Sequence, residues 1–251
     1  LGVDVVVEST GLFTSYDKAN VHIQAGAKKV VITAPAKDGD GTVSGETILL
    51  GVNEEKFGTC DVTSNASCTP NAASPIIAIL DETLGIEKAI LNTVHGYTAS
   101  QSLVDGISKK DLREGRAAAQ NIVPSSTGAA IAVTKAFPKL EGLFDGISIR
   151  VPVVAGSIVD VTIVSKKNTT VEEVNEIFKK AAASPRWEGI VRVTTDQIVS
   201  SDIIGDSYAS IIDLTYTKVV GGNLVKVLSW YDNEWGYVST LMRHVAGVAE
   251  A

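Results

Sequence analysis

The chain has 251 residues, 45% of them hydrophobic and 20% charged, enough apolar material for one large or two medium domains. Its formal charge of -7 offers no basic stripe for nucleic acid, and no apolar run approaches the roughly 18 residues of a membrane helix. The opening LGVDVVVEST lacks the basic segment of a signal peptide, so a globular cytoplasmic protein with no nucleic-acid or membrane partner is expected.

The sequence starts inside a strand-like run, Val3 to Val7, without a methionine, and a longer parent chain is expected. Val5 to Val7 and Val30 to Ile32 are short, β-branched apolar runs, and Ser15 to Gly26 between them has helical character. This alternation predicts a buried parallel sheet of the doubly wound α/β kind. Ligands of such sheets bind at the carboxyl ends of strands, here Glu8 to Gly11 and Thr33 to Pro35.

The stretch SNASCTPN places Cys68 among hydroxyls and amides just before a periodic run, Ala73, Ile76, Ile77, Leu80 and Leu84, that stops at Gly85. The spacing predicts a helix of about four turns with Ser67 as N-cap, Pro70 in its first turn and a kink at Pro75. A helix N-terminus stabilises an anion, and for a cysteine there the anion is its own reactive thiolate. A small thiol that merely packs against a core is the competing reading. Cys60, Cys68 and the three histidines form no CxxC or HExxH spacing, so neither a disulfide framework nor a metal site is expected.

His95 follows an apolar strand in Leu91 to Thr98. It is either a satisfied structural residue or, if the strand end delivers it to Cys68, the base of an activated nucleophile. Pro124 to Ala130 reads as a hydroxyl- and glycine-containing turn before a helix over 129–136, a second anion-binding helix start. Arg150 interrupts the strand Ile147 to Val153, as a partnered ion or an anion ligand. Further strands are expected at Ile158 to Val164 and Leu224 to Trp230, the latter after a Gly221-Gly222-Asn223 turn. Thr170 to Glu173 is a capping box, and Tyr237 to Ala249 a closing helix. This second half reads as α+β with a large sheet.

Together SNASCTPN, TVHGYTASQ, RAAAQNIVPSSTGAA, ISIRVP and WYDNEWGY resemble the phosphorylating glyceraldehyde-3-phosphate dehydrogenases, in that family's order and over nearly the whole chain. The resemblance implies a Rossmann-type dinucleotide domain, N-terminally incomplete here, formed by residues 1–67 and 233–251. A catalytic domain on a large mixed sheet is implied for residues 68–232. It implies NAD, with NADP not excluded, as cofactor, glyceraldehyde 3-phosphate and inorganic phosphate as substrates, and a homotetramer. By resemblance Cys68 is the nucleophile that forms a thioester and His95 the base. Thr98, Arg150 and Lys110 match ligands of the substrate's phosphate, Ser67, Thr127 and Gly128 the site of the attacking phosphate, and Thr69 a further substrate or phosphate contact. Thr10, Gly11, Phe13, Thr33, Asn233 and Tyr237 match cofactor contacts, and residues 99–120 a long loop near a neighbouring subunit.

The departures are Pro70 for a usual threonine, Ala72 for a frequent second cysteine, Val154-Ala155-Gly156, and the absence of the family's GxGxxGR turn. Erythrose-4-phosphate dehydrogenase and a truncated, non-catalytic relative are the alternative readings.

Overall fold

A computed structural model of the chain describes residues 2–37, 41–108 and 111–251. Strand β1 (Val5–Glu8) is followed by two single helical turns, α1 (Tyr16–Ala19) and α2 (Val21–Gln24), where one helix over 15–26 was expected. Ser15 caps α1 by accepting from the Lys18 amide at 3.3 Å, and Asn20 separates the two turns. Strand β2 (Lys29–Ile32) comes next, then two short strands the sequence did not announce, β3 (Gly45–Thr47) and β4 (Val62–Ser64). All four pair in parallel in the order β1-β2-β4-β3, so their carboxyl ends share one edge.

Strand β4 feeds directly into α3 (Cys68–Thr83). Ser67 occupies the cap position in an extended conformation, but its side chain makes no capping bond, which corrects the expected N-cap. The first turn is instead tied by Asn71, whose Nδ2 donates to the carbonyls of Asn65 at 2.8 Å and Ser67 at 2.9 Å. The helix continues through Pro75, which lacks the N–H that would bond the Asn71 carbonyl and whose ring crowds that carbonyl. It ends where Gly85, at φ +71°, turns the chain and donates to the Leu80 and Asp81 carbonyls.

The rest builds one seven-stranded mixed sheet. Its strands are β5 (Ile86–Gly96), β6 (Val123–Ser126), β7 (Phe144–Val151), β8 (Ser157–Ser165), β9 (Val191–Thr194), β10 (Ser210–Val220) and β11 (Leu224–Tyr231), in the order β6-β7-β5-β8-β11-β10-β9. Residues 123–126, read as a turn, are an edge strand antiparallel to β7, a place where Pro124 is tolerated. Helices α4 (Ala129–Ala136) and α5 (Val171–Ala182) follow β6 and β8. Thr170 caps α5 by accepting from the Glu173 amide at 3.2 Å, while the Glu173 carboxylate takes the Thr169 hydroxyl at 2.9 Å.

Side chains of β8 alternate strictly between buried and half-buried, the signature of a sheet covered on one face. The covered face, with Leu91, Val159, Val161 and Val227, packs on Ile76, Ile77 and Leu80 of α3 and on Phe178 of α5. The other face leaves Ile90 and Ile147 more than half exposed, at 58% and 52%. Helix α6 (Trp235–Glu250) returns to the small sheet, where Leu241 and Val248 bury against Val31.

His244 of α6 is fully buried there, with Nε2 2.8 Å from the Thr63 hydroxyl, and burial pulls its pKa down to about 4. The unfolded chain titrates near 6.5, so it binds the proton first as pH falls, and the folded state loses stability between about pH 6.5 and 4. The full effect is of order 3 kcal/mol per histidine. Urea midpoints should therefore drop steeply across this window and less steeply in His244→Gln; a wild-type midpoint constant from pH 7 to 4 would contradict it.

Candidate active site

Cys68 is the first residue of α3, at the carboxyl edge of the small parallel sheet, and the backbone that places it is unusual. Ala66, fully buried, sits at φ +54°, a left-handed conformation costing a non-glycine residue about 1–2 kcal/mol. The surroundings hold it there: its amide donates to the Ser64 hydroxyl at 3.0 Å and its carbonyl accepts from the Tyr237 hydroxyl at 3.1 Å. The strained link turns the chain from β4 into the helix, so the thiol stands at the helix start.

His95 arrives from the carboxyl end of β5, with Nε2 3.4 Å from Cys68 Sγ. Beside it on β7, in register, is Arg150, whose Nη1 lies 2.6 Å from His95 Nδ1 and 3.2 Å from the Gly96 carbonyl. The pair is pressed close to the β7–β8 connection, because a Cβ on Gly96 would sit 2.9 Å from the Val153 carbonyl. Below them Tyr231 turns its ring edge to His95 at 5.9 Å and joins the hydroxyls of Thr69 and Thr93 at 2.9 and 2.8 Å.

Burial, then the charge of Arg150, pulls His95 down to about 4, so its imidazole is neutral at physiological pH. Burial pushes the Cys68 thiol up, opposed by Thr69's hydrogen bonds and by Arg150. A helix start favours the thiolate and burial opposes it, so the two influences on Cys68 act in opposite directions.

With this geometry in hand, comparison with known proteins is decisive. A family profile described as glyceraldehyde 3-phosphate dehydrogenase, C-terminal domain, matches residues 67–233. The chain belongs to the glyceraldehyde-3-phosphate dehydrogenase family. It is 51% identical over its whole length to the glyceraldehyde-3-phosphate dehydrogenase of Mycobacterium avium, spanning 72% of that protein. A Streptomyces coelicolor glyceraldehyde-3-phosphate dehydrogenase is 49% identical over 96% of this chain and 71% of its own length. The chain is accordingly a dehydrogenase of the glycolytic type, and the large mixed sheet is the catalytic part expected from the sequence.

The family's remaining expected site residues are distributed over three places. Thr98 follows β5, its hydroxyl 3.1 Å from that of Ser100. Ser67 precedes Cys68, and Thr69 is buried with its hydroxyl engaged by Tyr231. Thr127 and Gly128 stand at the start of α4, where the Thr127 hydroxyl accepts from the Ala129 amide at 3.1 Å. Gly128 borders a cavity of about 470 Å³ lined also by Ala34, Pro35, Lys37 and Thr47, at the carboxyl edge of β2 and β3. Lys110 lies outside the described residues.

Of the expected cofactor contacts, Thr10 and Thr33 bracket the buried Glu8, whose Oε1 accepts from the Thr10 amide at 2.8 Å and also from its hydroxyl. The Thr33 amide donates to the Glu8 carbonyl at 3.0 Å. Gly11, at φ +76°, faces open space, and Phe13 packs edge-on against His22 at 5.5 Å. Asn233 Oδ1 accepts from the Gly156 amide and the Ser157 hydroxyl, both at 3.0 Å.

Sequence reasoning missed Tyr231, which ties Thr69, Thr93 and His95 together. Its only signal was an aromatic with a polar tip closing an apolar strand. If Arg150 binds a substrate phosphate, Arg150→Met should lower kcat/KM for glyceraldehyde 3-phosphate by about 10- to 100-fold, the worth of a charge-assisted hydrogen bond. Glyceraldehyde, without a phosphate, should be spared that loss; an equal loss for both would make Arg150 structural.

Proposed function

We propose that the chain oxidises glyceraldehyde 3-phosphate to the acyl phosphate through a thioester on Cys68, with His95 as base and NAD, NADP not excluded, as cofactor. The observation that carries this is the 3.4 Å contact between Cys68 Sγ and His95 Nε2 at the start of α3. Sγ attacks the aldehyde carbon, and His95 passes the thiol proton to the new oxygen. The same nitrogen takes the proton back as the carbon gives up its hydrogen as hydride to the bound acceptor and that C–O bond becomes a carbonyl. A phosphate oxygen then attacks the thioester carbon, the C–S bond breaks, and Cys68 is regenerated. A thioester suits this exchange because it keeps more acyl-transfer potential than an oxygen ester. The free amides opening α3 are placed to stabilise the oxyanion.

The residues present fit the cofactor. The four carboxyl ends of a parallel sheet share one edge with an open glycine loop at Gly11, and Asn233 has its oxygen pinned, which leaves its amide nitrogen as donor. Thr10, Gly11, Phe13, Thr33, Asn233 and Tyr237 would hold it, and when bound it supplies the hydride acceptor. Residues 1–67 and 233–251 in this reading are part of a doubly wound dinucleotide-binding domain, closed by α6, and 68–232 are the catalytic domain.

Thr98 and Arg150 take the substrate phosphate in this reading, and Ser67, Thr127 and Gly128 the attacking one, with Thr69 held by Tyr231 behind them. The open sheet face at Ile90 and Ile147, and exposed Leu103, Val104 and Ile107 in the loop 99–120, support a homotetramer, and the likeness to the relatives named above supports the cytoplasm as its place. The test is reduced-nicotinamide formation from glyceraldehyde 3-phosphate with and without inorganic phosphate. Sustained turnover should require phosphate; a phosphate-independent rate would point to release of the acyl group to water instead.

A further inference from the structure

The Asn233 amide is held in one orientation by two donors, and one of them cannot be reversed. A backbone N–H only donates, so the side-chain atom 3.0 Å from the Gly156 amide is an oxygen and the amide nitrogen points away from it. The Ser157 hydroxyl lies 3.0 Å from the same oxygen, and it accepts in turn from the Gly96 amide at 3.3 Å. Gly96 ends β5 and follows His95. A short directional chain therefore runs from the Gly96 N–H through the Ser157 hydroxyl to Asn233 Oδ1, where the Gly156 N–H meets it.

The backbone keeps these groups in place. Gly156 sits at φ +90°, and a Cβ there would lie 2.7 Å from the Ser200 carbonyl, which gives the glycine of the Val154-Ala155-Gly156 departure a physical reason. On the other side of Asn233, the Asp232 carboxylate clamps the turn into α6. Its Oδ1 accepts from the Glu234 and Trp235 amides at 2.8 and 3.0 Å, and its Oδ2 from the Gly205 amide at 2.8 Å. Ser157 is buried, at 2% exposure, whereas Asn233 is half-buried, with Nδ2 the end of its amide left to a ligand.

We infer that Ser157 is a positioning residue for the cofactor: with Gly156 it fixes the turn of the Asn233 amide, so that the site offers the nicotinamide carboxamide N–H donors and no acceptor. This rests on the reading of Asn233 as a cofactor contact and deepens it by naming what aims that contact. A carboxamide presents both an oxygen and an NH₂ group, and an asparagine free to turn over can satisfy either. With Oδ1 committed to Gly156 and Ser157, Asn233 satisfies only the oxygen, and the opposite presentation leaves two donors facing each other. The same buried hydroxyl joins the cofactor side of the site, at Asn233, to the strand end that carries His95.

The test is equilibrium binding of NAD and of ADP-ribose, which is NAD without its nicotinamide ring, to the nucleotide-free full-length protein by isothermal titration calorimetry. Ser157→Ala should weaken NAD about 3- to 10-fold, the worth of one hydrogen bond, and leave ADP-ribose unchanged. Asn233→Ala should weaken NAD at least as much, again with ADP-ribose unchanged. Adding Ser157→Ala to it should cost nothing more, because Ser157 acts through Asn233. Equal losses for NAD and ADP-ribose in Ser157→Ala would make Ser157 merely structural and overturn the inference. Unchanged NAD binding in Ser157→Ala beside a loss in Asn233→Ala would overturn it while leaving Asn233 a cofactor contact. A further loss of NAD in the double variant would overturn it too, by showing that Ser157 acts on its own. Unchanged NAD binding in Asn233→Ala would remove Asn233 from the cofactor site and the inference with it. Should Ser157→Ala fail to fold, Ser157→Cys keeps the size of the side chain with a far weaker donor, and the same selective loss of NAD is expected of it.

Discussion

Cys68→Ser should reduce phosphate-dependent oxidation of glyceraldehyde 3-phosphate by at least about 10⁴-fold, the order lost when a covalent nucleophile is removed. The substitution exchanges one atom at a half-buried position at the start of α3, so the ties from Asn71 to the Asn65 and Ser67 carbonyls, which fix the first turn, are untouched. The loss is therefore chemical. A serine hydroxyl is far more reluctant to ionise than a thiol, and its ester holds less acyl-transfer potential for phosphate to exploit. Steady-state turnover, with far-ultraviolet circular dichroism to establish the fold, measures it. Turnover within tenfold of wild type would remove Cys68 as the nucleophile.

His95→Asn should slow the chemical step by about 10² to 10⁴-fold, the range for loss of a positioned acid–base group. Asparagine retains a polar tip near Arg150 and Gly96 but no basic nitrogen facing Sγ. Burial pushes the Cys68 thiol up, and the Thr69 hydroxyl that also bonds it is no base, so the variant has lost the basic group beside Sγ. Single-turnover rates separate this from slow product release. The acid limb of kcat/KM, which reports the free enzyme, should lie near pH 4 in the wild type rather than near 6.5, since His95 stays unprotonated down to about 4. A near-normal single-turnover rate would reduce His95 to a structural residue packed on Tyr231.

The elements legible in the sequence were those whose burial follows a simple period. Strand β8 alternates along its whole length, and α5 announces itself with Thr170 and its apolar stripe. Strand β10 was not legible because its pairing with β11 shifts register between Asp213 and Lys218. Five consecutive buried residues, Ser210 to Leu214, then give way to the mostly exposed 215–220, and no single alternation spans both. Strands β3 and β4 are three residues each, too short for any period, yet β4 aims the chain at Cys68.

The site divides in the same way. Cys68 was legible because hydroxyls around a helix start are a local signal. His95 was singled out as a candidate base, but its contact with the thiol was not legible, since it lies 27 residues away and meets Sγ through the packing of α3 over the sheet that holds β5. The sequence reading of a thiolate stabilised at a helix start drew on the helix terminus. The structure adds burial, which opposes ionisation and makes the neighbouring imidazole necessary. The left-handed Ala66 had no signal at all, because alanine carries no preference for that conformation and only the bonds from Ser64 and Tyr237 impose it.

The thioester on Cys68 is the central claim, and intact-protein mass spectrometry of the acid-quenched full-length protein tests it most directly. After mixing with glyceraldehyde 3-phosphate and NAD in the absence of inorganic phosphate, a phosphoglyceroyl adduct should appear on the peptide containing Cys68 and disappear when phosphate is added before the quench. Reduced nicotinamide formed in the first turnover with no adduct on Cys68, or with the adduct on another residue, would contradict the account.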